Sequence, residues 1–283
     1  MQMNDILVPT DFSENACKAA KYAAGIAERS GGKIYLVHAL TLLGETIQEG
    51  GSLRESYNAQ VVEGGKVELY RQREALNSVF PGVAIECRLF RGPVQEVLIQ
   101  FIREQPIDLV VMGTQGASGI IGMAFGSVTS SFIGHCPVPV LAVPREYSGH
   151  PPANLALATQ LFDQDNRLLS PVFSLAALYN ANIHVFAFDY QNYMDRDDGE
   201  NKSKLDKYLN FLRKSFPLAH VSGSQYYGDS FIGALDDYSS KNNPGIICMF
   251  MHKRGFWQEV FNPSRTKAMA CQSHVPLLAV PVG

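Results

Sequence analysis

Val138-Pro-Val-Leu-Ala-Val-Pro144 returns near the far end of the chain as Val275-Pro-Leu-Leu-Ala-Val-Pro281, identical at six of seven positions. Each is a short apolar run between prolines, the pattern of a buried strand. The same register, without a gap, sets Asp108-Leu-Val-Val-Met112 against Gly245-Ile-Ile-Cys-Met249. A second register aligns the beginnings: Ile6-Leu-Val-Pro-Thr10 with Leu155-Ala-Leu-Ala-Thr159, and Lys33-Ile-Tyr-Leu-Val37 with Asn182-Ile-His-Val-Phe186. Matches in one order along the chain indicate a duplication. The junction falls near Arg145-Glu-Tyr-Ser-Gly-His-Pro-Pro-Ala153, whose Gly and Pro suit a linker. Two domains are expected, 1–145 and 153–283, in keeping with a length of 283 residues.

Working outward through the first half, Ile6–Pro9, Lys33–Ala39, Ala84–Phe90, Leu109–Gly113 and Val138–Val143 read as strands. Between the first two, Ser13 can cap a helix in which Ala16, Ala19, Ala20, Ala23, Ala24 and Ala27 recur at helical spacing until Gly31-Gly32. Further helices are expected over Ser52–Phe80, disturbed at Gly64-Gly65, and over Val94–Glu104 and Ser127–His135. Near-continuous apolar strands alternating with helices imply a doubly wound α/β domain, a five-stranded parallel sheet covered on both faces. The second half repeats the plan except at Pro171, where the helix either starts late, with Ser170 as cap, or is kinked.

Gly113-Thr-Gln-Gly116, followed after nine residues by Gly126-Ser127, carries the chemistry. Glycines after a strand let backbone approach a ligand, and the exposed N–H groups of a helix start favour an anion. Ser127 and Thr129 add hydroxyls. These features make a phosphate cradle. In the second half Phe250, Lys253 and Pro263 replace Gly113, Gly116 and Gly126, Gln160 stands for Asp11, and only Ser264 and Thr266 persist. Bulk and a missing donor argue against the same ligand there.

The spacing Gly113, Gly116, Gly126, Ser127 resembles the ATP-binding branch of the universal stress protein family, whose fold is the adenine nucleotide alpha hydrolase-like one. The resemblance covers residues 1–145 and, more faintly, 153–283. It implies that Pro9, Thr10 and Ala39 line an adenine, with His38 flanking it. It places Asp11 near the ribose or a Mg or Mn ion on the phosphates, and Met112, Gly113 and Gly116 beside ribose and first phosphates. Gly126, Ser127, Val128 and Thr129 would hold the remaining phosphates of ATP, or of ADP or AMP. It also implies that the two Leu-Ala-Val strands pair antiparallel, joining the halves as a pseudo-dimer within one chain, with a homodimer of whole chains as a further expectation.

Other readings stay bland. His38 is a satisfied, partly buried histidine, and Cys136 before Pro137 is packing. His252-Lys253-Arg254 is a solvated loop that could hold some other anion, and Asp195–Glu200 lacks the spacing of a calcium loop. Gly31-Gly32-Lys33 and Gly64-Gly65-Lys66 lack the Ser or Thr of a P-loop, and Gly116-Ala-Ser118-Gly119 is one residue short of a nucleophile elbow. No general base announces itself, so a regulatory nucleotide-binding protein is expected. The alternatives are a slow ATPase or nucleotidyl-transfer enzyme, and an interaction module that binds no nucleotide.

A net charge of −3 gives no reason to expect nucleic acid or an anionic membrane as partner. No apolar run reaches the ~18 residues that span a bilayer. Five scattered cysteines, without C-x-x-C, form neither a disulfide framework nor a zinc site, and a cytoplasmic location is the expectation.

Overall fold

The computed structural model describes residues 3–42, 51–114, 127–190, 198–252 and 274–282. In the first half the elements are β1 (Asp5–Pro9), α1 (Glu14–Ser30), β2 (Lys33–Leu40), α2 (Gly51–Asn77), β3 (Ala84–Arg91), α3 (Val94–Glu104), β4 (Leu109–Gly113), α4 (Ser127–His135) and β5 (Val140–Val143). The second contributes β6 (Asn154–Thr159), α5 (Asn166–Tyr179), β7 (Asn182–Asp189), α6 (Asp198–Ser215), β8 (Val221–Tyr227), α7 (Phe231–Asn242), β9 (Ile246–Met251) and β10 (Leu277–Pro281).

All these strands belong to one sheet, ordered β3-β2-β1-β4-β5-β10-β9-β6-β7-β8. Renumbered from its own beginning, the second half shows the strand order of the first, so the repeat in sequence is a repeat in topology. Every pairing is parallel except β5 with β10, where Leu277, Leu278 and Ala279 face Ala142, Leu141 and Val140. The two Leu-Ala-Val strands therefore meet antiparallel. Both are buried throughout their apolar residues, which leaves neither as a bare edge.

Core packing follows from the alternation of side chains across the strands. One face of the sheet carries Ile6, Val8, Leu36, Leu109, Val111 and their second-half counterparts under α1, α2, α5 and α6. The opposite face carries Leu7, Tyr35, Val37, Val110 and Met112 beneath α3 and α4. Alanines let α1 lie close: Ala19, Ala20, Ala23 and Ala24 are fully enclosed. Ser13 caps α1, its hydroxyl accepting from Ala16 N–H at 3.2 Å, and Gly31 ends the helix in the left-handed region.

Two expectations are corrected. α2 runs unbroken through Gly64-Gly65. Gly65 has a packing purpose instead, since a Cβ there would come within 3.2 Å of Leu89 Cδ1 and 3.4 Å of His38 Cδ2. α5 begins at Asn166 with Asp165 as its cap, so Ser170 is no cap and Pro171 lies inside the helix. Pro171 deletes only its own bond to the Arg167 carbonyl. Its ring is buried, as are its neighbours Leu169, Val172 and Phe173, and that packing holds the helix together across the gap.

The cysteines follow burial. Cys136, just before β5, has its thiol pushed up to about 12 by desolvation, and the fully buried Cys248 on β9 is raised further. Cys17 and Cys87 are only half-buried. Alkylation of the native protein at pH 8 is expected to mark Cys17 and Cys87 while sparing Cys136 and Cys248 until denaturant is added. Peptide mass mapping reads this out, and early labelling of Cys248 would show that the core opens far more readily than its packing implies. Among the described residues, no helix is long and apolar enough to cross a membrane.

Candidate functional site

In the order β3-β2-β1-β4-β5 the chain leaves β1 toward one side of the sheet and β4 toward the other. Connections that diverge in this way open a crevice at the carboxyl ends of the two strands, where doubly wound sheets bind ligands. The sequence places Pro9-Thr10-Asp11 at one lip of this crevice and Met112-Gly113 at the other. The structure brings them together, because β1 and β4 are paired neighbours through Ile6–Leu109 and Leu7–Val110.

The first lip is a tightly held corner. Thr10 is buried, and its N–H donates to the Val37 carbonyl at 2.9 Å. His38 Nδ1 lies 2.6 Å from the Thr10 carbonyl, and its ring rests on Phe12 with centroids 4.4 Å apart. His38 is thus a satisfied wall residue, as expected. Phe12 adopts a φ of 64°, a left-handed conformation that costs about 1–3 kcal/mol for a bulky residue and persists only when its surroundings fix it. That turn throws Asp11 outward into solvent, with Ser13 N–H donating to its Oδ1 at 3.0 Å. Ala39, on β2 beside His38, is half-buried.

At the second lip Met112 is buried and Gly113 ends β4. A Cβ on Gly113 would stand 2.7 Å from Asn15 Nδ2 and 2.9 Å from Asn15 Cγ, so glycine is required for α1 to pack here. Thr129, buried in the first turn of α4, donates its hydroxyl to the Gly113 carbonyl at 3.0 Å. Its proton therefore fixes the strand end, and its remaining donor at a helix start is the backbone N–H. Val128 beside it is 45% exposed. Gly116, Gly126 and the Ser127 side chain lie outside the described residues, as do Lys253, Pro263, Ser264 and Thr266.

Asp11 supplies one carboxylate, and among the described residues no group of three His, Cys, Asp or Glu side chains could hold a metal ion. This donor set fits a divalent cation bound by a single carboxylate together with ligand phosphates, the usual mode for Mg.

The second half shows a similar corner, one residue longer and with different contents. Phe162 sits at φ 51°, with its N–H donating to Thr159 Oγ1 at 3.0 Å, as Phe12 N–H donates to Thr10 Oγ1 at 3.0 Å. Gly113 pairs with Val143 and Phe250 pairs with Val280, so Phe250 occupies the place of Gly113. Its ring is buried in the core, on the face of the sheet that α1 and α5 cover. His252 is no solvated loop residue: its Nε2 lies 3.0 Å from Asp163 Oδ2 with both side chains largely enclosed, which ties the β6 loop to the end of β9.

Sequence reasoning missed Asn15, Gln72 and Cys17. Gln72, on α2, accepts the Thr10 hydroxyl at 2.8 Å from 62 residues away. A lone polar residue on a long helix carries no signal of such a contact. Asn15, in the first turn of α1, shows no local sign of its contact with Gly113.

The universal stress protein family model matches residues 3–144, half of the chain, and the chain belongs to that family. A putative universal stress protein of Staphylococcus aureus is 30% identical over 149 residues, covering 50% of this chain and 84% of the relative. Another, from Methanocaldococcus jannaschii, is 27% identical over 143 residues, 50% of this chain and 83% of the relative. Among solved structures, a universal stress protein from Archaeoglobus fulgidus superposes over 100% of both chains with a TM-score of 0.72 at 17% identity, a likeness of fold.

Proposed function

We propose that the first half, residues 1–145, binds an adenine nucleotide, ATP first, in the crevice between β1 and β4, and that the protein is a regulatory binding protein of the stress-response type. The observation that carries this is Gly113. It ends β4 at the switch point, packed against Asn15 of α1, and Thr129 bonds its carbonyl, which supports placing the first turn of α4 beside the carboxyl end of β4. Pro9, Thr10 and Ala39 would wall the adenine, with Asp11 on the ribose or on a Mg or Mn ion at the phosphates. Met112, Gly113 and Gly116 would follow the ribose and first phosphates. Gly126, Ser127, Val128 and Thr129 would receive the rest, the glycines and Ser127 by their spacing in the sequence. The second half, 153–283, takes no nucleotide in this mode, because Phe250, Lys253 and Pro263 stand where Gly113, Gly116 and Gly126 do, and Gln160 stands for Asp11. A cytoplasmic location accompanies this reading.

His38 is held by the Thr10 carbonyl and lies against Phe12, which supports a wall role for it, and the absence of a general base in the sequence motifs favours binding over turnover. In a thermal melt with Mg and ATP at about a hundred times the dissociation constant, mass action adds about 2.7 kcal/mol of stability. The expected result is a melting point several degrees higher. An unchanged melt at ATP well above millimolar would remove the reading and leave the interaction module. Phosphate release far above background, lost in Asp11→Ala, would instead make the protein an ATPase.

A further inference from the structure

Three side chains and the Phe12 backbone form a closed, directional ring. The Thr10 hydroxyl donates to Gln72 Oε1 at 2.8 Å, Gln72 Nε2 donates to Cys17 Sγ at 3.6 Å, Cys17 Sγ donates to the Phe12 carbonyl at 3.9 Å, and Phe12 N–H donates to Thr10 Oγ1 at 3.0 Å. Each side chain in the ring gives one hydrogen bond and takes one. The ring draws on three elements: the loop after β1, α1 through Cys17, and α2 through Gln72.

We infer that Gln72 is a positioning residue for the nucleotide corner, acting through Thr10; the inference rests on the proposed adenine-nucleotide site. Gln72 is buried, so its amide has no water to exchange its partners with. A threonine hydroxyl has a single proton and rotates to suit its surroundings. By accepting that proton, Gln72 Oε1 leaves the lone pairs of Thr10 Oγ1 turned to Phe12 N–H. That bond holds Phe12 in its left-handed turn, and the turn in turn sets the direction of Asp11. The Gln72 amide also orients the Cys17 thiol toward the Phe12 carbonyl, so both ends of the strained residue are secured from one side chain.

The second half supplies the contrast. It retains the threonine-to-phenylalanine bond and the left-handed Phe162, but α6 presents Tyr208, whose ring packs on Phe162 with centroids 5.4 Å apart. The Tyr208 hydroxyl is buried and has no hydrogen-bond partner among the described residues. A left-handed phenylalanine bonded to a threonine hydroxyl is common to both halves, although the second turn is one residue longer, whereas the ring through Gln72 and Cys17 belongs to the half with the glycine spacing.

The test uses the full chain and four forms: wild type, Gln72→Met, Thr10→Val and the double variant. Methionine keeps the length and bulk of glutamine and removes both hydrogen bonds. Titration calorimetry with Mg and ATP should show Gln72→Met binding about tenfold more weakly, the cost of a misplaced hydrogen-bonded corner. In the Thr10→Val background the same change should alter affinity by less than about twofold, because the path through Thr10 is already cut. Amide exchange at Phe12 should speed up in Gln72→Met. If Gln72→Met does not fold, Gln72→Glu keeps the acceptor for Thr10, loses the donor to Cys17, and should show a smaller loss. Equal affinity and unchanged Phe12 exchange in Gln72→Met, or fully additive losses in the double variant, would overturn the inference. A wild type that takes up no nucleotide would defeat the functional reading alone, and Phe12 exchange would still decide the role of Gln72.

Discussion

Gly113→Val is expected to abolish adenine-nucleotide binding and to destabilise the protein. Even the first added carbon would lie 2.7 Å from Asn15 Nδ2 and 2.9 Å from Asn15 Cγ, distances at which something must move. Asn15 is itself buried at the start of α1, so it cannot swing into solvent. Overpacking of this kind costs about 1–3 kcal/mol. For a chain of this size that lowers the melting point by about 2–4 °C for each kcal/mol. The two further methyl groups would crowd α1 still more and displace the strand end on which the proposed site is built. Phe250→Gly is the natural control. It empties a core position at the matching place in the second half and should cost about 3–5 kcal/mol, yet leave nucleotide affinity unchanged. Calorimetric titration and melting of the two variants separate ligand space from general stability. A Gly113→Val protein with wild-type affinity would mean that the nucleotide, if bound, lies elsewhere.

The largest effect on assembly is expected at the seam between the halves. Leu278 on β10 faces Leu141 on β5, and neither retains any solvent exposure. Leu278→Asp would bury an unpaired carboxylate at the centre of the only antiparallel pairing described, at a cost of about 3–5 kcal/mol. The expected outcome is loss of cooperativity: denaturant unfolding in two steps, and protease cutting within residues 144–153, where the chain lacks strand or helix. A single transition at the wild-type midpoint would show that helix contacts, such as those of α1 with α5, hold the halves together without the sheet.

Much of this architecture is written in local patterns. Ser13, the alanine series and Gly31 define α1 because capping and helical spacing act over a few residues. Val94–Glu104 and Ser127–His135 have the boundaries that their sequence suggests. Pro171 and Gly64-Gly65 mislead for a shared reason. Local preference argues against a helix at each, but buried neighbours on α5, and close contact of Gly65 with Leu89 and His38, outweigh it. The glycine spacing points to the crevice, whereas the partners that shape it do not show. Gln72 reaches Thr10, and Asn15 meets Gly113, only after the sheet has brought distant segments together. His252 illustrates the same limit, since its partner Asp163 lies 89 residues earlier.

The antiparallel seam has a consequence for anything that touches this molecule. Strands run one way in the first half and the reverse way in the second, so the carboxyl ends of β4, at Gly113, and of β9, at Met251, lie on opposite rims of the sheet. Whatever lies at the end of one strand therefore cannot also touch the end of the other.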